Sequence, residues 1–290
     1  MKKRRLIKSL CCFFAVLLLL AGCTQPQNPP TETDTMPNDI DQDVIGCYKT
    51  TEYSYLTAVD ASILTTNLNE AYLLLANKEY PLGATYVPSD LVDLTCPKYQ
   101  SSRTYQLDRR AANALYAMLA EMKAAGIDDV MVASAYRSYS YQVSTYNNHI
   151  ANERNGISED AIACFGYDYI KTNYLDRGVY KLSLEDATTV VQTYSAQPGK
   201  SEHQTGLCVD LATSEEKEPL TVAFELTQAF AWLSQNAYKF GFILRYPSGD
   251  EDVTGYTYEP WHYRFVGREA ATDIHFGNLN FEEYLYLYRT

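Results

Sequence analysis

The sequence predicts an α+β fold, a small antiparallel sheet covered by helices, and three features carry that expectation. Apolar residues recur at helical spacing in several segments, foremost residues 107–125. Short β-type segments lie later in the chain, and the one at 206–212 alternates in character from residue to residue. Helical segments precede and cover these few strands, which is the arrangement of an α+β domain. No internal repeat is present.

The chain begins with a basic Met1 to Arg5 followed by a mostly apolar Leu6 to Ala21. That apolar run is short for a membrane span, so residues 1–22 read as a signal peptide. It ends in Leu20-Ala21-Gly22-Cys23, which resembles the bacterial lipoprotein processing box. The resemblance implies cleavage before Cys23 and a diacylglycerol on its sulfur. The protein is then expected outside the cytoplasm, held to the cell membrane by lipid and facing the cell wall. Residues 23–43 hold Pro, Thr, Asn, Gln and Asp with few apolar side chains, and read as a flexible tether. Residues 44–290 suffice for one sizeable core and are expected to form one domain.

Within that domain Ala111, Leu115, Met118, Leu119 and Met122 form a helical face that ends at Gly126. Val130, Met131 and Val132 form the buried run of a strand over 129–135. A helix over 139–154 ends at Asn155-Gly156. Residues 157–193 suit two short helices around a Tyr-rich loop. Residues 206–212 suit a half-buried strand, with Leu207, Val209 and Leu211 on one side and Cys208 and Asp210 on the other. A helix over 220–238, strands over 241–246 and 261–266, and helices over 268–276 and 281–288 complete the chain.

Net charge is −12, and no Lys/Arg cluster lies outside the first residues, which argues against nucleic acid as a partner. A monomer is expected. Cys47, Cys96, Cys164 and Cys208 lie in the domain, and none forms a C-x-x-C pair. Two disulfides, in any of three pairings, and free buried thiols both remain open.

Only four histidines occur, and two stand in chemically suggestive company. His203 stands at a turn before Gly206, and Asp210 follows seven residues later on a strand. A second imidazole, His262, on a neighbouring strand would give two nitrogens and a carboxylate. Three such ligands with an open position make a catalytic zinc site. Glu259, three residues before His262 across Pro260, is placed to act as general base toward a water activated by the metal. Spacing alone leaves the other reading open: a structural histidine in a turn, with Asp210 as a turn residue.

These two segments resemble the S-x-H-x-x-G-x-x-x-D and E-x-W-H signatures of VanY-type D-alanyl-D-alanine carboxypeptidases. Further blocks follow in order. Ser134-Ala135-Tyr136-Arg137-Ser138-Tyr139 with Gln142 is similar to the family's S-G-Y-R-S…Q segment. Asn77-Lys78, Pro81-Leu82 and Tyr86-Val87-Pro88 are similar to its N-terminal strand. Residues 241–247 and 281–285 are similar to its closing segments. The resemblance implies Zn2+ held by His203, Asp210 and His262, with Glu259 as base. It implies that Arg137 faces the substrate at the terminal carboxylate or the scissile carbonyl, with Gln142 and Ser201 as lesser substrate contacts. For Ser201 a helix N-cap role is the alternative. The implied substrate is the peptidoglycan stem peptide, trimmed of its C-terminal D-Ala by D,D- or L,D-cleavage. An endopeptidase or a non-catalytic wall-binding protein on the same fold are the rivals.

The sequence departs from the family pattern in two places. Ala135 stands where Gly is usual, and the stretch between Gln142 and Ser201 is longer, with the excess placed between Cys164 and Glu185. Ser214-Glu215-Glu216-Lys217 is formally S-x-x-K, but no S-D-N or K-T-G follows it, so a penicillin-binding-type serine peptidase is not supported.

Overall fold

The computed structural model describes residues 44–64, 70–100, 102–214 and 219–289. The expected signal peptide, Cys23, the tether up to residue 43 and Glu215 to Lys217 lie outside the described residues. Two short strands absent from the sequence reading, β1 (Leu91–Asp93) and β2 (Gln106–Asp108), pair antiparallel. Asp108 ends β2 and caps the next helix, its carboxylate accepting N–H bonds from Arg110 and Ala111. That helix, α1 (Arg109–Ala124), buries Ala111, Leu115, Met118 and Met122, the stripe set by its spacing.

The main sheet has β3 (Val130–Ser134), β4 (Cys208–Thr213), β5 (Phe242–Leu244) and β6 (His262–Phe265), antiparallel in the spatial order β3-β4-β6-β5. Its core-facing residues Val132, Val209, Leu211, Phe242 and Phe265 pack with the α1 stripe, Phe224, Leu233 and Phe240 in one apolar cluster. All six residues of β4 are buried, not half of them as the alternation suggested. Its Cys208/Asp210 face lies under the polar site, not under solvent.

The helix α2 (Tyr139–Glu153) follows β3. Three helices then occupy the stretch where two were expected: α3 (Glu159–Phe165), α4 (Tyr167–Asn173) and α5 (Leu184–Tyr194). Ser158 and Ser183 cap the first and third, and the group has its own small core of Ala161, Ile170, Tyr174, Leu182, Ala187 and Val190. The single helix expected over 220–238 is divided. Thr227 is extended, and its hydroxyl accepts from Phe230 N, so α6 (Gln228–Asn236) starts afresh behind a 3-10 turn. A short helix, α7 (Glu251–Thr254), precedes β6. Helices α8 (Arg268–Gly277) and α9 (Phe281–Arg289) close the chain over a second core with Ile243 and Val266.

Residues 77–88 form turns and not the strand the resemblance implied. Asn77 Oδ1 accepts from the N–H groups of Glu79 and Tyr80, and Leu82 N donates to Gly199 O at 2.7 Å. Cys47, Cys96, Cys164 and Cys208 are all free, so of the two cysteine readings unpaired thiols hold.

Candidate metal centre and active site

The site is assembled by strand register. Ser134 of β3 is opposite Asp210 of β4, and Asp210 is opposite His262 of β6, so three functional side chains form one row across the sheet. An irregularity between Val132 and Ser134 brings the end of β3 into that row. His203 comes from the 3-10 turn Glu202–Thr205 that leads into β4. Gly206 ends this turn at φ 67°, and a Cβ there would come within 2.8 Å of the Leu91 side chain.

His203 Nδ1 lies 2.7 Å from the carbonyl of Ala135. A carbonyl only accepts, so Nδ1 carries a hydrogen and Nε2 is the nitrogen turned toward the site. It points at Asp210 Oδ2, 3.1 Å away. His262 Nδ1 lies 3.1 Å from Asp210 Oδ1 and 3.4 Å from Glu259 Oε2. Two imidazole nitrogens and the Asp210 carboxylate thus converge on one buried point, where protons on the imidazoles or a metal cation would offset the carboxylate charge. Asp210 Oδ1 has no hydrogen-bond partner despite that 3.1 Å approach. Burial opposes charge on either imidazole, but Cys208 and Asp210 alongside push His203 up to about 9 and His262 well above the ordinary histidine range. Burial likewise opposes charge on Asp210, yet the two imidazoles hold it well below the usual carboxylate range. Two imidazoles, a carboxylate and a thiol brought together in a buried pocket are a donor set that suits zinc.

Glu259 is partly exposed at the rim, while His203, Asp210 and His262 are 5%, 3% and 3% exposed. The Tyr246 ring lies against His262, with centroids 4.9 Å apart. Arg137 stands beyond the end of β3, and its backbone N donates to His203 O. Its Nη1 donates to Gln142 Oε1 at 2.8 Å and its Nη2 to Ser134 Oγ at 3.2 Å. Arg137, Ser134, Ala135, Tyr105, Tyr141 and His149 line a groove of about 470 Å³ beside the metal-side cluster.

The two lesser residues stand differently. Gln142 is buried, and its Nε2 donates to Ala196 O at 2.6 Å. With both amide ends engaged it sits behind Arg137 as an orienting group. Ser201 occupies the N-cap position of the 203 turn but makes no side-chain capping bond there, so the capping alternative is not realised.

One residue of the site escaped sequence reasoning. Glu202 is 1% exposed, and its Oε1 accepts from Arg245 Nε at 2.7 Å and Arg264 Nη1 at 2.8 Å. Its Oε2 faces His262 Nε2 at 3.7 Å, and neither atom has a hydrogen-bond partner among the described residues. Arg245 also forks onto Glu282 at 2.8 and 2.6 Å. Glu202 therefore orients His262 from behind, leaving Nδ1 for the metal side. The available signal was two arginines in apolar surroundings, Arg264 in β6 and Arg245 just past the end of β5, since such charges need buried partners. Glu202→Ala would leave both guanidiniums short of an acceptor. It should cost about 3–5 kcal/mol in chemical denaturation and weaken zinc binding about 10- to 100-fold. Wild-type stability and affinity in this variant would refute that role.

The sequence profile described as "VanY: D-alanyl-D-alanine carboxypeptidase" matches residues 104–268. The putative carboxypeptidase YodJ of Bacillus subtilis (strain 168) is 34% identical over 217 residues, 74% of this chain and 67% of that one. A D-alanyl-D-alanine carboxypeptidase of Enterococcus faecalis is 32% identical over 213 residues, 73% of this chain and 65% of that one. The chain thus spans about two thirds of the length of these relatives. Among solved structures, the LdcB LD-carboxypeptidase aligns with a TM-score of 0.58 at 33% identity, over 74% of this chain and 86% of that one. The vancomycin-resistance D,D-pentapeptidase VanY in complex with Zn(II) aligns with a TM-score of 0.56 at 31% identity, over 74% and 99%. With the profile covering more than half of its length and these relatives agreeing in sequence and fold, the chain belongs to the VanY D-alanyl-D-alanine carboxypeptidase family.

Proposed function

We propose that this protein is a zinc-dependent carboxypeptidase that releases the C-terminal D-Ala of peptidoglycan stem peptides, by D,D- or L,D-cleavage. The observation that carries this reading is the Asp210 carboxylate set 3.1 Å from an imidazole nitrogen of both His203 and His262. His203 through Nε2, His262 through Nδ1 and Asp210 would hold the metal. When bound, zinc supplies Lewis acidity and brings the pKa of a water from about 15.7 toward about 7. Glu259 Oε2, 3.4 Å from His262 Nδ1, is the carboxylate suited to take the proton of the attacking water. The same oxygen can then deliver that proton to the departing amine. Arg137, held by Gln142 and Ser134 at the mouth of the groove, is suited to fork onto the substrate's terminal carboxylate and set the register of the scissile bond. The names of the aligned relatives, carboxypeptidases of both D,D and L,D type, favour C-terminal trimming over the rival readings.

Anchoring belongs to the same proposal. Leu20-Ala21-Gly22-Cys23 supports a lipid on Cys23, and the polar stretch after it supports a tether reaching toward the wall. A monomer suffices for the site as described, since one chain supplies every group named.

Purified protein should carry one zinc, lose D-Ala release in chelator and regain it with added zinc. Glu259→Gln should keep the metal while kcat falls roughly 10²- to 10⁴-fold. Uncross-linked pentapeptide and tetrapeptide substrates separate D,D- from L,D-cleavage. Activity in a metal-free protein, or cleavage confined to cross-links, would overturn the reading. For Arg137, amidating the substrate's C-terminus should raise KM for wild type, and Arg137→Ala should erase that preference for the free acid. A fall in kcat alike for acid and amide would instead make Arg137 an oxyanion stabiliser. Cys23→Ser should move the protein from the membrane fraction to the soluble one. Unchanged partitioning would mean that the apolar leader itself is the anchor.

A further inference from the structure

Cys208 is the one group of the metal-side cluster that the three-ligand reading leaves without a task. It is fully buried, yet it does not belong to the apolar cluster that takes its strand neighbours Leu207, Val209 and Leu211. Strand alternation turns it the other way, onto the face of Asp210. Its cross-strand neighbour is Arg264, but that guanidinium is fully committed elsewhere, to Glu202, Phe265 O, Tyr72 O and Leu74 O. The sulfur faces the imidazoles of His203 and His262. One ligand atom from each of His203, Cys208 and His262 lies within 4.8 Å of the other two. Asp210 Oδ1, buried and without a hydrogen-bond partner among the described residues, lies 3.1 Å from His262 Nδ1. A thiol kept only for packing would sit among apolar side chains.

We propose that Cys208 is a fourth protein donor of the metal centre, its sulfur joining His203, Asp210 and His262 on the ion. The inference rests on the zinc reading of this site. The thiol proton leaves to solvent as the sulfur takes the metal. A sulfur in the set favours thiophilic ions over a purely nitrogen and oxygen centre. Catalytic zinc can expand to five-coordinate, so a fourth protein donor remains compatible with substrate approach.

The test is spectroscopic and independent of turnover. Full-length wild type, Cys208→Ala and Cys208→Ser are each loaded with Zn2+ for X-ray absorption and with Co2+ for optical spectra. Wild type should show a sulfur scatterer at about 2.3 Å and a thiolate-to-cobalt charge-transfer band. Both should vanish in the two variants while one metal per chain is retained, and circular dichroism would check that they fold. Cys47, Cys96 and Cys164 remain in every sample, so they cannot account for a signal lost with Cys208. A wild-type shell of nitrogen and oxygen alone, with metal bound, would overturn this inference and leave the three-ligand site standing. A sulfur signal that persists in both variants would overturn it too. Failure of wild type to take up either ion would reject the zinc reading itself.

Discussion

Glu202 lies wholly inside the protein, and a lone carboxylate there would cost several kcal/mol in lost hydration. Arg245 and Arg264 make its burial tolerable, and Glu282 makes theirs tolerable in turn. Two negative and two positive charges balance within a few ångströms, with backbone carbonyls of Phe265, Tyr72 and Leu74 taking three more of the Arg264 donors. The network joins the turn before β4, strands β5 and β6, and helix α9. His262 leans on its one free oxygen. The part of the fold that is most expensive to rearrange is thereby the part that aims an imidazole.

The front of the site is set by the sheet. Because Ser134, Asp210 and His262 share one row, a slip of one residue at β4 would turn Asp210 into the apolar core and bring Val209 or Leu211 to the site. Those residues pack against the α1 stripe, so hydrophobic burial enforces the register that the chemistry needs. Such division of labour explains why the four site positions have 3–14% exposure and yet stand in fixed mutual geometry.

Much of this could be read from residues alone. His203, Asp210, His262 and Glu259 lie in segments whose spacing already suits a metal and a base, and the helix and strand periods located α1, α2, β3 and β6 closely. What could not be read depended on distant partners. Glu202 looks like a solvated turn residue until Arg245 and Arg264, 43 and 62 positions away, are brought to it. Cys208 and Asp210 look like the wet face of β4 because polarity in sequence does not distinguish solvent from a buried polar site. Residues 220–238 carry a helical period, but the Thr227 hydroxyl competes for backbone bonds and restarts the helix.

The helical group 159–194 is tied to the groove through hydrogen bonds to the backbone that follows it. Gln142 connects Arg137 to the carbonyl of Ala196, just past the end of α5. Tyr194, near that end, bonds Glu153 at the end of α2, and Lys78 reaches Gln192 O from the other side. The position of α5 is thus transmitted through one amide side chain to the guanidinium at the groove. His149 lines the same groove from α2, and burial with the nearby Arg137 charge keeps it below its ordinary pKa. With that imidazole neutral, the guanidiniums of Arg137 and Arg103 are the positive charges among the residues lining the groove. Any shift of the segment between Gln142 and Ser201 therefore bears first on the Arg137 guanidinium, while Asp210 and His262 are braced by the sheet and by Glu202.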